Sequence, residues 1–206
     1  MPAGVETDVV RPERAVEVAL DAGDTQTAVV VPVAAAERAV SRWRQRFDTG
    51  AVLGVGAHVT VLFPFAPAGS VDQELLRRLE GIFASVAAFD ATFGRCRSFG
   101  DDVLWLAPEP DQPFRELTAA VLDAFPAYPP YGGVFDDVVP HLTIAESRLA
   151  RPDELQEAEA AVGRHLPLAA HVERGLLLAG SDRPGSWHAL AELPLGPPSS
   201  QGEPPG

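Results

Sequence analysis

The 206-residue chain has no lysine, no asparagine, one cysteine, one methionine and two tyrosines. The lone Cys96 excludes an intramolecular disulfide framework and fits a reducing cytoplasm. The apolar runs fall well short of the roughly 18 residues a membrane span needs. The opening Met1-Pro2-Ala3-Gly4-Val5-Glu6 carries neither the basic patch nor the apolar stretch of a secretory signal. Positive charge is scarce: 16 arginines stand against 29 acidic residues, a formal net charge of −13. That balance argues against tight, sequence-blind binding of long nucleic acid, which needs a basic face. It still permits a local phosphate pocket, since a few donors in a cleft suffice. Hydrophobic residues make up 46% of the chain, enough to build a core and to exclude global disorder.

Residues 1–25 lack a clear period, and 197–206 are turn formers without an apolar anchor, so both read as tails around one domain spanning 26–196. Within it, Thr27 to Val33 reads as a buried strand. A helix face follows in Ala36, Ala39, Val40, Trp43 and Phe47. His58 to Phe63 is a second strand, closed by Pro64. Leu75, Leu76, Leu79, Ile82, Phe83 and Val86 form an amphipathic stripe. Phe89 to Phe99 and Asp102 to Ala107 read as a hairpin. Then come a helix face (Phe114, Leu117, Val121, Phe125), a Pro- and Tyr-rich loop, and a strand from His141 to Ala145. A helix entered by Pro152 precedes closing strands at Leu168 to Leu178 and Trp187 to Leu195. A β-α-β-α-β unit over 27–99 thus recurs over 102–178 with one strand added, which suggests a duplication giving two facing lobes.

The informative residues are His58-Val59-Thr60-Val61 and His141-Leu142-Thr143-Ile144, 141 − 58 = 83 positions apart. Strand side chains alternate faces, so each His shares a face with its Thr, while Val59, Val61, Leu142 and Ile144 point the other way, into a core. With eight Thr in the chain, two His-x-Thr hits among five His arise by chance in roughly 1–2% of cases. Two such faces meeting across one cleft suit phosphoester chemistry. One imidazole serves as base and the other as acid, and the threonine hydroxyls hold phosphate oxygens. No metal or cofactor is required.

On these residues, together with Leu104-Trp105-Leu106-Ala107-Pro108 and Tyr131-Gly132-Gly133 through Val139-Pro140-His141, the chain resembles the 2H phosphoesterase superfamily, particularly bacterial 2'-5' RNA ligase-like proteins. The resemblance implies a bilobal α+β fold with pseudo-two-fold duplicated units and antiparallel-rich sheets lining a central cleft. It implies action on 2',3'-cyclic phosphates or 2'-5' phosphodiesters of small nucleotides or RNA ends, with His58 and His141 as the acid–base pair and Thr60 and Thr143 on the phosphate. His58 is leaned toward as acid and His141 as base. Many members carry an arginine five positions after the second motif histidine. Here Glu146 stands there, which favours a small cyclic nucleotide or terminal cyclic phosphate over long RNA.

Tyr131 is a candidate to stack on a substrate base, although loop tyrosines (Tyr128 included) more often pack onto the fold. Trp105 and Trp187 are expected in core or lobe packing. Arg95 and Arg97 share a strand face, expected to be solvated. Asp136 and Asp137 read as turn residues, His165, His171 and His188 as structural, and Cys96 as inert. A monomer is expected, since no coiled-coil seam is present. The competing readings are a nucleotide or RNA-end sensor using the same cleft without turnover and, less well supported, a histidine metal site, for which a third or fourth ligand is missing.

Overall fold

The structure, a computed structural model, describes residues 20–133 and 138–197. Among these residues, eight strands and five α-helices follow one another as β1 (Gln26–Pro32), α1 (Glu37–Phe47), α2 (Thr49–Val52), β2 (His58–Leu62), α3 (Gln73–Ala84), β3 (Phe89–Phe99), β4 (Val103–Glu109), α4 (Gln112–Ala124), β5 (Leu142–Glu146), α5 (Pro152–Gly163), β6 (Leu168–Val172), β7 (Arg174–Gly180) and β8 (His188–Pro194). They build two four-stranded sheets with orders β2-β1-β7-β8 and β5-β4-β3-β6. Every pairing within them is antiparallel.

The duplicated element order is present, and the two antiparallel sheets make the expected α+β fold, but each sheet draws strands from both repeats. The third strand of the first repeat, β3, inserts beside β4 in the second sheet, and β7 inserts beside β1 in the first. The helices follow the same exchange: α1 packs on β5 and α4 on β2. The single closing strand expected over Leu168 to Leu178 is accordingly two. It breaks at Glu173, where the chain leaves β6 at the edge of one sheet and enters β7 in the other. The sequence marks the break only by two successive polar residues, Glu173 and Arg174, across which the buried positions shift from 170 and 172 to 175 and 177. The strand expected from His141 runs from Leu142, with His141 at its entrance.

Two apolar faces and one helix layer per sheet make the core. Val29 and Val31 of β1, Val59 and Val61 of β2, Leu104 and Leu106 of β4, and Leu142 and Ile144 of β5 join a single cluster with Trp43, Phe47, Leu79 and Phe83 from the helices. This is the strand alternation read from the sequence: the partners of the His-x-Thr residues point into the helices. Residues 20–25 do not behave as a tail. Thr25 N–H donates to the Gly180 carbonyl at 3.0 Å, extending the β1–β7 ladder outward. Most of the expected N-terminal segment, nearly all of the C-terminal one, and Asp136 and Asp137 lie outside the described residues. No helix among the described residues is long and apolar enough to cross a membrane.

Candidate active site

The edge strands β2 and β5 adjoin where the two sheets meet. The histidines at their entrances are held in the same way. His58 Nδ1 donates to the Gly56 carbonyl at 2.7 Å, and His141 Nδ1 donates to the Val139 carbonyl, also at 2.7 Å. A carbonyl oxygen only accepts, so each Nδ1 carries a proton and each Nε2 is the nitrogen left for chemistry. The peptides near these carbonyls are themselves pinned. Val33 N–H donates to the Ala57 carbonyl at 2.8 Å, and Glu37 accepts from Ala57 N–H. On the other side Arg115 donates to the Val138 carbonyl at 3.3 Å. Thr60 and Thr143 are half-buried, and neither hydroxyl has a partner among the described residues. His58, Thr60, His141 and Thr143 are therefore brought to one junction.

Both imidazoles resist protonation. Burial pushes His58 down to about 4, with the Arg44 guanidinium adding to the effect and the Gly56 carbonyl opposing it. The charge of His141 also disfavours the protonated form of His58, which places the two rings in electrostatic reach. Burial lowers His141 as well, but the Val139 carbonyl and the Asp48 carboxylate pull it back up. Arg44 and Asp48 form a buried ion pair, Nη2 to Oδ2 at 2.7 Å and Nε to Oδ2 at 2.8 Å. Asp48 also accepts from Gly50 N–H at 2.9 Å, capping α2. Burial lifts the Asp48 carboxyl, and Arg44 and the Gly50 N–H counteract this. The pair thus presents its positive end to His58 and its negative end to His141.

Arg44, Asp48 and Glu37 shape the surroundings of the two histidines, and the motifs do not single them out. The sequence nonetheless carries a signal for the pair: Arg44 lies on the apolar stripe of α1, beside Val40, Trp43 and Phe47, with an aspartate four residues on. A charge on a buried stripe needs a partner at helical spacing. Glu146 carries no bare charge toward the site. It accepts from Thr49 N–H at 2.9 Å and from Arg148, which hold its carboxyl below the usual range although burial alone would lift it.

The open faces of the two sheets differ. Beside His58, the cavity is about 260 Å³ and largely apolar, lined by Val30, Leu176, Leu178 and Trp187. Trp187 donates its indole N–H to the Ser181 carbonyl at 2.8 Å and packs with Ala28, Val30 and Leu178. Beside His141 stand aromatic rings, Phe99 at 5.0 Å and Trp105 at 5.8 Å between centroids, both edge-on. Trp105 and Trp187 are buried as expected, but on the cleft side of their sheets. Arg95 and Arg97 are exposed, as expected, and line an open cavity with Trp105.

Tyr131 is tied to the segment that follows β2. Its N–H donates to the carbonyl of Phe63 at 2.7 Å, just beyond the strand end opposite His58. It adopts φ +49°, a left-handed conformation costly for a side chain of this size. Tyr128 packs edge-on against Phe65, 5.4 Å between centroids. His171 pairs with Asp90 at 2.7 Å, and His188 lies 3.6 Å from Asp24. Burial lifts the Cys96 thiol to about 11, with Glu159 adding to it, so the thiol is unreactive. Among the described residues no group of three His, Cys, Asp or Glu is placed to hold a metal ion.

Solved structures share this architecture. E. coli LigT complexed with 3'-AMP matches with a TM-score of 0.54 at 16% identity, covering 84% of this chain and 99% of its own. The complex of E. coli LigT with NADP+ gives a TM-score of 0.52 at 16% identity over 85% and 99%. TT0787 of Thermus thermophilus gives 0.59 at 16% identity over 84% and 98%. No curated protein matches the chain. The family model of the 2'-5' RNA ligase superfamily matches residues 31–181, which takes in both histidine motifs and the strand exchange that brings them together. The chain belongs to the 2'-5' RNA ligase superfamily.

Proposed function

We propose that the protein is a metal-independent phosphodiesterase acting on 2',3'-cyclic phosphates or 2'-5' phosphodiesters of small nucleotides or RNA ends. The observation that carries this reading is the matched pair of half-sites. Two imidazoles are fixed through Nδ1 to a backbone carbonyl, and each is followed on the same face by a threonine whose hydroxyl is uncommitted among the described residues. E. coli LigT has been crystallised with 3'-AMP and with NADP+, ligands of the size and chemistry this cleft is read to take. The reading carries with it a monomer working in the cytoplasm on small nucleotides or RNA termini.

The electrostatics around the pair favour the opposite division of labour from the one leaned toward in the sequence. His58, lowered by burial and by Arg44, stays neutral and takes the proton of the attacking water at Nε2. His141, beside Asp48, holds a proton more readily and delivers it from Nε2 to the departing ribose oxygen. Water adds to phosphorus as the P–O bond to that oxygen breaks, giving a phosphomonoester and a free hydroxyl. Thr60 and Thr143 donate to the non-bridging oxygens, where charge accumulates. Solvent then returns both rings to their starting states.

The test is turnover of a 2',3'-cyclic nucleotide in excess chelator. His58→Ala and His141→Ala are each expected to lower kcat by about 10²–10⁴-fold with an unchanged melting curve. Full activity in either variant, or loss of wild-type activity on chelation, overturns the reading. Calorimetric binding without product would instead make the cleft a sensor.

A further inference from the structure

A cavity of about 560 Å³ opens on the second sheet beside the His141 half-site, within the range of small-ligand sites. In a chain of charge −13, three of its 16 arginines, Arg95, Arg97 and Arg115, converge on this one cavity. Arg115 is engaged by Asp111 at 2.8 Å. Arg95 and Arg97 make no hydrogen bond or ion pair among the described residues. Trp105, 5% exposed, lines the same cavity, and its indole N–H is buried without an acceptor. An unsatisfied buried donor is costly and calls for an explanation. That N–H is sealed from the cavity, so the donors the cavity offers are the two uncommitted guanidinium groups, a match for a phosphate.

Register ties this cavity to the reacting centre. Thr143 stands opposite Trp105, and Trp105 opposite Arg97, so one row crosses the sheet from the phosphate-binding threonine to the arginine. Two strand spacings separate the ends of the row, about 10 Å. That span matches the two ends of one nucleotide once the reach of an arginine is added. Glu109 and Asp111 border the cavity. A longer run of phosphates passing through would meet carboxylates, whereas a single terminal group meets the arginines.

We propose that Arg95 and Arg97, against the wall formed by Trp105, make a second-phosphate subsite, which holds the terminal 5'-phosphate of a nucleotide whose 2',3'-cyclic phosphate reacts between His58 and His141. This deepens the proposed function and rests on it for the identity of the reacting group. The subsite makes the preferred substrate a 5'-phosphorylated nucleotide end, not a nucleoside cyclic phosphate.

The experiment compares adenosine 2',3'-cyclic phosphate with its 5'-phosphorylated form. The wild-type kcat/KM is expected to be about ten- to a hundredfold higher for the latter. Arg95→Gln and Arg97→Gln, both on exposed side chains, are expected to bring the ratio of the two substrates down toward one. A wild-type ratio near one, or a ratio unmoved in both variants, overturns the subsite. A binding arm separates this from failure of the catalytic reading: calorimetry with adenosine 3',5'-bisphosphate and with 3'-AMP. Tighter binding of the bisphosphate, lost in Arg97→Gln, with no turnover of either cyclic substrate, keeps the subsite and removes the hydrolase. Equal affinities remove the subsite whatever the turnover.

Discussion

The two half-sites are built alike and furnished differently. In the first sheet the row that begins at Thr60 continues through Val30 to Leu176. In the second, the row that begins at Thr143 continues through Trp105 to Arg97. The histidine and threonine ends of the rows are equivalent, down to the carbonyl two residues upstream that fixes each ring. What lies beyond them is apolar on one side and cationic on the other. Behind them, one buried ion pair gives His58 a positive neighbour and His141 a negative one. The two halves of the candidate site match in their histidines and threonines, and their surroundings differ twice: in the charge that neighbours each imidazole and in the residues that line the open face.

The sharpest way to break this comparison is to ask whether the two histidines are interchangeable. An acid is needed only when the leaving oxygen is a poor leaving group. On a nucleoside 3'-(4-nitrophenyl phosphate), whose leaving group departs unprotonated, the defect of His141→Ala is expected to shrink to about tenfold or less, while His58→Ala keeps its defect of about 10²–10⁴. The measurement is release of nitrophenol by each variant against its rate on the cyclic nucleotide. Rescue of His58→Ala instead exchanges the roles. Equal rescue of both denies the asymmetry.

The ion pair behind the rings comes next in expected effect. Asp48→Asn leaves the Arg44 charge buried and unmatched and is expected to cost about 3–5 kcal/mol in stability, read by denaturant unfolding. Arg44→Met with Asp48→Leu removes both charges and is expected to recover most of that loss. If the double variant is no more stable than the single one, Asp48 matters chiefly as the cap of α2, through its bond to Gly50, and not as a partner for Arg44.

The arrangement of the candidate site was legible because strand alternation ties side-chain direction to sequence parity: His58 with Thr60, and His141 with Thr143, had to share faces. The exchange of β3 and β7 between repeats was not legible. Local patterning reports which face is buried but not which sheet buries it, and the slip of parity at Glu173-Arg174 marks an interruption without saying that the chain changes sheet. Arg95 and Arg97 were read correctly as sharing a face. That face is solvated as read, and the open cavity on it depends on β4 bringing Trp105 alongside, a non-local fact. Glu146 likewise drew attention as a charge near phosphate, and only the fold supplies the Thr49 N–H and Arg148 that occupy it.

The smallest expected effect is a displacement of pH limbs. As base, His58 must be unprotonated, so kcat/KM rises as pH climbs through its value near 4. As acid, His141 must be protonated, so kcat/KM falls as pH climbs through a value held below the ordinary 6.5. The free enzyme is therefore expected to work best under mildly acidic conditions. Bound phosphate favours both imidazolium forms, so the kcat profile is expected to lie at higher pH than that of kcat/KM. Because Asp48 raises His141 alone, Asp48→Asn, assayed in its folded range, is expected to move the alkaline limb downward and leave the acid limb in place. The same shifts couple to folding: between pH 6.5 and about 4 the unfolded chain takes up a proton at position 58 that the folded one refuses. Stability should thus fall on acidification through that window, and His58→Gln should flatten the fall. Limbs that move together in Asp48→Asn would mean that the two rings share one electrostatic environment, and the contrast between the half-sites would then be one of recognition alone.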